Sequence, residues 1–275
     1  MRTQDLFYWI QERETIRLQR AHGAPKPWTD DEILRSYRFC NVYREHDKVT
    51  LWINKHWRTP HKNDRHLWFA MVVARLVNWP DTMARMGFPA SLDEGQFVGV
   101  IHNMQAAGLK AYSGAYIVST NGNAMDKADY LFQKVLTPLW AKREHYAPIK
   151  GERLEDFYNR LVGAIGLGTF MAAQVVADMK YAPVFQKAAD WDTFAAPGPG
   201  SKRGLNRVMG KAVDAPWGNR WHATLLQLKG EVDQLVREAE LPPIHAQDLQ
   251  NCLCEFDKYE RVRLGEGRPR STFNG

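Results

Sequence analysis

Apolar residues recur along most of the chain at the three- and four-residue spacing of α-helices, and few segments alternate as strands do. This spacing predicts an amphipathic helix over residues 3–21 and a buried helix over 66–78, which Pro80 should stop. Two long helices are expected near the end of the sequence, over 221–240 and 245–263. The pattern therefore predicts an all-α fold.

Capping and turn signals place further elements between these helices. Residues 29–32 and 91–94 both have the S/T-x-x-E form of a capping box, which predicts one helix from Asp30 and another that runs to Gly108. Residues 112–120 have the highest strand propensity and precede an Asn-Gly turn signal, so at most a small β-hairpin is expected. Helices are also predicted over 123–143, interrupted near Pro138, and over 152–162 and 168–180.

The last two of these helices are joined by an eight-residue pattern from Ile165 to Ala172, apolar-G-x-G-x-x-x-A, which is the signature of a helix-hairpin-helix motif. Gly166 and Gly168 permit a tight turn and a close approach of the backbone to another molecule. The second helix starts at Gly168, and its free N–H groups could hold a phosphate. Gly166, Gly168 and Thr169 are therefore candidate DNA-binding residues, while a plain helical corner with glycine caps is the alternative.

Two aspartates, Asp190 and Asp192, follow Gly168 by 22 and 24 residues. This order resembles that of the helix-hairpin-helix DNA glycosylases, in which a catalytic aspartate follows the hairpin at a similar separation. A carboxylate here could accept a proton from an incoming nucleophile or stabilise positive charge on a base. Trp191 could bind substrate by stacking on an extruded base, or it could belong to the core. Two solvated acids are the alternative for the aspartates.

A dense Pro/Gly segment, residues 196–206, follows the aspartates and predicts a fixed loop that exposes its backbone to a ligand. Lys202 and Arg203 could neutralise a phosphate or a pyrophosphate leaving group. Lys202, Arg203 and Asn206 therefore join the two aspartates as catalytic candidates. Of these aspartates, Asp192 stands nearer to the segment and is expected to be the reacting carboxylate.

Polar residues recur every three positions in the segment from Arg38 to Asp47. If this segment is helical, Arg38, Asn41 and Arg44 lie along one stripe of its surface. These three residues are candidates for binding a substrate. A structural polar network is an equally open interpretation.

The chain carries a formal net charge of +6 and has a pI near 9.2, which suits a polyanionic partner. Basic residues are concentrated in two segments, 54–66 and 199–221. Arg207 and Lys211 of the second segment are candidate DNA-binding residues. A solvated charged face would explain either segment equally well.

Several protein classes are disfavoured by signatures that the sequence lacks. Three cysteines without Cys-x-x-Cys spacing predict neither a disulfide framework nor a metal site. The nine histidines include no H-E-x-x-H pair, and the zinc-deaminase, P-loop and dinucleotide-binding signatures are missing. Since no signal sequence or membrane span is found, we expect an intracellular protein. The missing motifs also lead us to expect no metal site and no redox cofactor.

Taken together, these segments resemble the phage and bacterial proteins that hypermodify DNA bases. That family includes the α-glutamyl/putrescinyl thymine pyrophosphorylases, which are amino acid:DNA transferases, and the helical domain of 5-hydroxymethyluracil DNA kinases. The most specific part is the Pro/Gly-Lys-Arg-Gly-Leu-Asn motif that ends at Asn206. The matching segments are residues 28–34, 37–44 with Asp47, 166–168, 196–206, 248–251 and 255–259.

The resemblance implies a glycosylase-like helical fold, with residues 1–275 as one domain or as two packed lobes over about 1–150 and 151–275. It implies double-stranded DNA as the partner, in which 5-hydroxymethyluracil, a modified thymine, is activated as a pyrophosphate ester. An amine or amino acid then attacks the methylene carbon of the base while pyrophosphate leaves. No cofactor is implied, although Mg²⁺ could arrive bound to the pyrophosphate.

The missing P-loop favours a transferase, to which a separate 5-hydroxymethyluracil DNA kinase could supply the activated base. A phage-encoded protein of this kind would act in the host cytoplasm. Two alternatives stay open. One is a DNA glycosylase or lyase of the helix-hairpin-helix class, and the other is a non-catalytic DNA-binding partner of such a kinase.

Overall fold

The computed structural model describes residues 1–114, 119–120 and 122–269, and every regular element among them is helical, which confirms the all-α prediction. The α-helices are α1 (Thr3–Ala21), α2 (Glu32–Ser36), α3 (Lys48–Ile53), α4 (Leu67–Val77), α5 (Pro80–Met86), α6 (Val100–Ala106), α7 (Lys127–Tyr130), α8 (Thr137–Ala141), α9 (Arg143–Tyr146), α10 (Leu154–Val162), α11 (Gly168–Met179), α12 (Pro199–Val208), α13 (Trp221–Glu238) and α14 (Ala246–Arg263). Turns of π-helix cover Asn54–Arg58, Gly95–Gly99 and Leu131–Leu136, and a turn of 3-10 helix covers Arg44–His46.

The chain forms two compact units. We call Met1–Asp47 with Asp192–Gly275 the terminal unit and Lys48–Trp191 the central unit. The terminal unit contains α1, α2 and α12 to α14, and the central unit contains α3 to α11. Neither boundary coincides with the lobe boundary expected near residue 150, and the number of domains stays a prediction.

The long helices lie where the hydrophobic pattern places them. Helices α1, α4, α10, α11, α13 and α14 begin and end within two residues of their predicted bounds. The helix predicted over 123–143 begins instead at Lys127 and passes through a π-helical turn before α8. The expected β-hairpin falls mainly on residues 115–118 and 121, which lie outside the described residues.

Both predicted capping boxes are wrong in detail, because a neighbouring aspartate provides the cap. Asp31, not Thr29, caps α2 by accepting backbone N–H groups of its first turn at 2.9 Å. Near Ser91 the side chain of Asp93 accepts the N–H of Gln96 at 2.6 Å, and the helix starts as a π-helical turn.

The core of the terminal unit is built around α14, against which α1, α12 and α13 pack. Trp9 of α1, Leu205 of α12, Leu225 of α13 and Phe256 of α14 are all fully buried in one hydrophobic cluster. Burial of large side chains from four helices is the main stabilising term for this unit.

The Pro/Gly segment is not a loop throughout, because α12 begins at Pro199. Pro199 occupies the first helical position, where its missing N–H costs nothing. A side chain at Gly204 would overlap the backbone carbonyl of Leu253, and one at Gly200 would overlap the thiol of Cys254. The two glycines therefore allow α12 to lie directly against α14, which is the physical reason for this composition.

The central unit is organised around α4, whose eleven residues are all buried. Arg75 of α4 donates to both carboxylate oxygens of Asp178 of α11, at 2.5 and 2.6 Å, and both side chains are almost inaccessible. Arg75 also donates to Thr50 and Asn78. This network fixes α4 against α11 and thereby positions the hairpin that α11 shares with α10.

Candidate functional site

Helices α10 and α11 are joined by a short turn where the helix-hairpin-helix motif was predicted, and the two glycines of this turn have different roles. Gly166 and Gly168 both adopt positive φ, at 83° and 57°. A side chain at Gly166 would overlap Val135, so this glycine permits a close contact inside the protein. Nothing lies within 4 Å of the position of a side chain at Gly168. Gly168 is therefore the glycine that faces open space.

The tip of the hairpin exposes apolar and polar groups together. Ile165 is 66% exposed and Phe170 is 55% exposed, and Gly168 and Thr169 are also exposed. No side chain caps the first turn of α11. We call Ile165, Gly168, Thr169 and Phe170 the hairpin surface. It offers N–H groups at the positive end of a helix dipole, flanked by apolar side chains.

Asp190 caps a helix. Its carboxylate accepts the backbone N–H of Leu154 at 2.8 Å and that of Glu155 at 2.9 Å, which begins α10. The guanidinium of Arg153 lies 3.9 Å from the same carboxylate, and Asp190 is 5% exposed. Both oxygens therefore have a structural task at the start of the hairpin, which the sequence did not indicate.

Trp191 packs within the central unit. Its indole N–H donates to the carbonyl of Lys180 at 3.0 Å, and the ammonium of Lys180 lies 4.3 Å from its ring centroid. Tyr181 contacts the ring edge-on at 5.8 Å. These contacts fit the core interpretation of Trp191, while its predicted role in binding substrate stays a prediction.

Asp192 has a different environment from Asp190, although only one residue separates them in sequence. Its side chain is 52% exposed and lies 3.0 Å from the ammonium of Lys229, which also bonds to Asp233 at 2.7 Å. Burial alone would lower the pKa of Lys229, but hydrogen bonds to the two aspartates raise it above its ordinary value. Lys229 therefore stays charged, and Asp192 is an accessible carboxylate beside a fixed cation.

The predicted basic residues of α12 divide into paired and exposed groups. Arg203 donates twice to Asp257, at 2.8 and 3.0 Å, and Arg207 donates to the other oxygen of Asp257 at 2.8 Å. Since Asp257 is 1% exposed, these arginines complete a charged network that joins α12 to α14. Lys202 is exposed and is the cation of the helix most open to a ligand.

The other two candidates of this region are Asn206 and Lys211. Asn206 is 1% exposed, and its amide donates to the carbonyls of Val213 and Ala215 at 2.8 and 2.9 Å. It holds the turn after α12 in place. Lys211 is exposed, and its ammonium lies 3.8 Å from the ring centroid of Trp217.

The predicted helical stripe at Arg38, Asn41 and Arg44 is wrong, because this part of the chain is irregular apart from one 3-10 turn. The backbone N–H of Asn41 donates to Asp47 at 3.1 Å, and its side-chain amide donates to the carbonyl of His46 at 2.8 Å. These hydrogen bonds fold the segment back onto itself, as the polar-network interpretation expects. Arg38 is exposed.

Most of the segments that carry the family resemblance lie in the terminal unit, where they meet at α14, while residues 166–168 belong to the central unit. Glu255 accepts the backbone N–H of Cys40 at 3.0 Å, and Asp248 accepts that of Arg44 at 3.1 Å. Asp257 holds the arginines of α12. The three carboxylates were not singled out in the sequence, although all lie in or beside the last matching segments. Glu255 and Asp248 hold the irregular segment 38–47 against α14, and Asp257 holds α12 against the same helix.

The cysteines of this region are not activated nucleophiles. Burial raises the pKa of the Cys254 thiol to about 11, and the negative charge of Glu255 raises that of Cys40 well above its ordinary value. Both thiols therefore stay protonated at neutral pH, so nucleophilic chemistry by cysteine is disfavoured.

Three side chains of the central unit, His102, Asp126 and Asp129, could together hold a cation. One ring nitrogen of His102 is 3.1 Å from Asp126 and 3.5 Å from Asp129. The ligand atoms of all three side chains lie within 4.8 Å of one another, near the surface. Their arrangement is equally that of an ordinary His–Asp ion pair. None of the described helices combines the length and the apolar character needed to cross a membrane.

Comparison with known proteins gives a match over nearly the whole chain. The family model described as "5-hmdU DNA kinase, helical domain" matches residues 1–268. A protein of Bacillus phage SP10 named 5-hmdU DNA kinase is 26% identical over 285 aligned positions. The alignment covers 92% of this chain but 44% of the relative, so the chain spans less than half of that protein's length. No solved structure matches the chain.

Proposed function

Because the chain belongs to the family of 5-hmdU DNA kinase helical domains, we propose that it binds DNA carrying 5-hydroxymethyluracil and takes part in the modification of that base. The structural observation that carries DNA binding is the hairpin surface. Uncapped N–H groups at the start of a twelve-residue helix suit a phosphate oxygen, and they are exposed here. Beside them, Ile165 and Phe170 are apolar groups of the kind that enter a groove or wedge between base steps.

A negative charge on the hairpin surface should weaken DNA binding without weakening the fold. We expect Thr169→Glu to lower the affinity for a duplex containing 5-hydroxymethyluracil on the order of tenfold, because the new carboxylate repels phosphate. The same carboxylate is favourable at a helix start by about 0.3–1 kcal/mol, so the melting temperature should hold or rise. Fluorescence anisotropy and thermal melting measure the two effects.

Gln105→Glu is the matched control, since it makes the same change of charge at an exposed site on a different helix, α6, of the same unit. Its affinity should stay close to that of the unaltered protein. Equal losses in the two variants would mean that only net charge matters, and no loss in either would remove the hairpin surface from the DNA interface.

For the chemistry, we propose that the terminal unit transfers an amine onto 5-hydroxymethyluracil that has been activated as a pyrophosphate ester. The amine nitrogen bonds to the methylene carbon, the bond from this carbon to the pyrophosphate oxygen breaks, and a proton of the nitrogen passes to a carboxylate. Asp192 supports this assignment because it is exposed, whereas Asp190 caps α10. Lys229 holds the Asp192 carboxylate in place, and Lys202 is available for the leaving group.

Asp192→Asn should reduce amine transfer on the order of 10²-fold or more while DNA binding is retained, because the amide keeps the shape but not the basicity. The measurement is mass spectrometry of nucleosides from pyrophosphorylated DNA incubated with the protein and a panel of amines. Asp190→Asn is the comparison, and its effect should appear mainly as lower thermal stability. Normal turnover by Asp192→Asn contradicts the assignment, release of free base indicates a glycosylase, and binding without turnover indicates a non-catalytic partner.

A further inference from the structure

An open cleft in the central unit gathers basic side chains from two segments that are far apart in sequence. It has a volume of about 350 Å³, and its lining includes Lys62 and Arg65 of the basic segment 54–66 and Arg143 at the start of α9. Cations that converge on one concave surface concentrate positive potential there. The cleft therefore suits an anionic ligand.

Two carboxylates share the cleft, and both already have partners. Asp64 accepts a backbone N–H two residues further along the chain at 2.7 Å. Glu144 lies 2.6 Å from Arg65 and 3.7 Å from Arg143, so one acid serves two arginines. Lys62 is exposed and has no acidic partner in the part of the chain that the structure describes. The cleft thus keeps positive charge available to a ligand.

Two buried side chains hold the basic segment in place beside the cleft. Arg58 is 4% exposed, and its guanidinium donates to the backbone carbonyl of Asp178, near the end of α11, at 3.3 Å. Trp57 is 2% exposed and contacts Phe88 edge-on, with 6.2 Å between the ring centroids. Because these contacts fix the backbone of the segment, little ordering is required when an anion binds.

The cleft and the hairpin surface lie at opposite ends of α11. This helix begins at Gly168, which belongs to the hairpin surface, and its last residue, Met179, lines the cleft. At 1.5 Å per residue, a helix of twelve residues is about 18 Å long. Phosphates of one DNA strand recur about every 3.4 Å along the duplex axis, so this length corresponds to about five base pairs.

We propose that the cleft holds a phosphate group of the DNA backbone, about five base pairs away from the phosphate at the hairpin surface. The inference rests on the proposed function, since the hairpin surface supplies the first contact. Lys62 donates a charge-assisted hydrogen bond to a phosphate oxygen, and the two arginines beside it offer further N–H groups. Two contacts at a fixed separation set the orientation of the duplex on the central unit, because phosphate contacts position a protein without reading base sequence.

Lys62→Gln should lower the affinity for the duplex on the order of fivefold and reduce the slope of log affinity against log salt by about 0.9, the value for one phosphate contact. Lys55→Gln is the matched control, because Lys55 is exposed in the same basic segment but is not among the residues that line the cleft. Its slope should stay close to that of the unaltered protein. Fluorescence anisotropy over a salt series measures the slopes, and thermal melting checks the fold.

A second arm shortens the duplex one base pair at a time from either end. From one end, the effect of Lys62→Gln should disappear about five base pairs before the effect of Thr169→Glu does. Loss of both effects at the same length would overturn a separate contact at the cleft. A third arm titrates inorganic pyrophosphate, and binding there that depends on Lys62, with duplex affinity unchanged by Lys62→Gln, would assign the cleft to a free ion and overturn the DNA contact.

The variants separate this inference from the proposed function. If Thr169→Glu weakens duplex binding and Lys62→Gln does not, or if Lys62→Gln and Lys55→Gln lose equally, only the cleft inference falls. If Lys62→Gln weakens binding and Thr169→Glu does not, the hairpin surface is removed from the interface, and the contact at two points falls with it. If the unaltered chain binds no duplex, the proposed function and the inference both fail.

Discussion

Gly204→Ala should destabilise the terminal unit by about 3 kcal/mol or more, although it adds one methyl group to a helix. The reason is that the new methyl group would overlap the carbonyl of Leu253, which is backbone of α14 and cannot rotate away. The helices would have to separate, and the bonds from Arg203 and Arg207 to Asp257 would lengthen with them. Chemical denaturation followed by circular dichroism measures the loss.

Gly230→Ala in α13 is the matched control, since it makes the same substitution inside a helix where nothing lies within 4 Å. Alanine has the higher helix propensity, so this variant should gain up to about 1 kcal/mol. Opposite signs for the two substitutions are the expected outcome. A neutral Gly204→Ala would mean that α12 does not lie against α14 in the way described.

Asp178→Asn should cost about 3–5 kcal/mol, because it leaves the guanidinium of Arg75 buried without its counter-charge. Arg75 is 2% exposed and Asp178 is inaccessible, so water cannot replace the lost carboxylate. Since this pair joins α4 to α11, the loss should appear as unfolding of the central unit and as weaker protection of the hairpin in hydrogen exchange.

Glu144→Gln provides the comparison for a surface pair. Glu144 and Arg65 are 66% and 69% exposed and lie 2.6 Å apart, so breaking their interaction should cost less than about 1 kcal/mol. If the two variants lose similar amounts of stability, the Arg75–Asp178 pair is not the buried connection that the structure shows.

The helices that bury one face were predictable, because apolar periodicity determines where they lie. Helix α14 follows its periodic pattern closely, and α4, which is buried on every side, follows its nearly continuous apolar run. The Pro/Gly segment was misinterpreted because a turn and a tight helix contact use glycine for the same reason, which is the absence of a side chain. Only the position of α14 shows that Gly200 and Gly204 serve packing.

The sequence indicated which segments contribute to the candidate site, but it did not indicate which of their residues are exposed and which hold the fold together. Asp190 and Asp192 look alike in sequence, yet one caps α10 and the other is exposed beside Lys229. Burial and partners decide this difference, and both depend on residues far away in the chain. For the same reason the partners of Asp257 could not be predicted, although this carboxylate holds two of the predicted basic residues.

The proposed function requires this chain to recognise 5-hydroxymethyluracil in DNA. The affinity of the unaltered chain for two duplexes that differ only in 5-hydroxymethyluracil or thymine at one position, measured by competition at fixed salt, tests this recognition. We expect tighter binding of the 5-hydroxymethyluracil duplex by about tenfold, the equivalent of about one specific polar contact. Equal affinity for the two duplexes would contradict the claim and leave a helical protein that binds DNA without recognising the modified base.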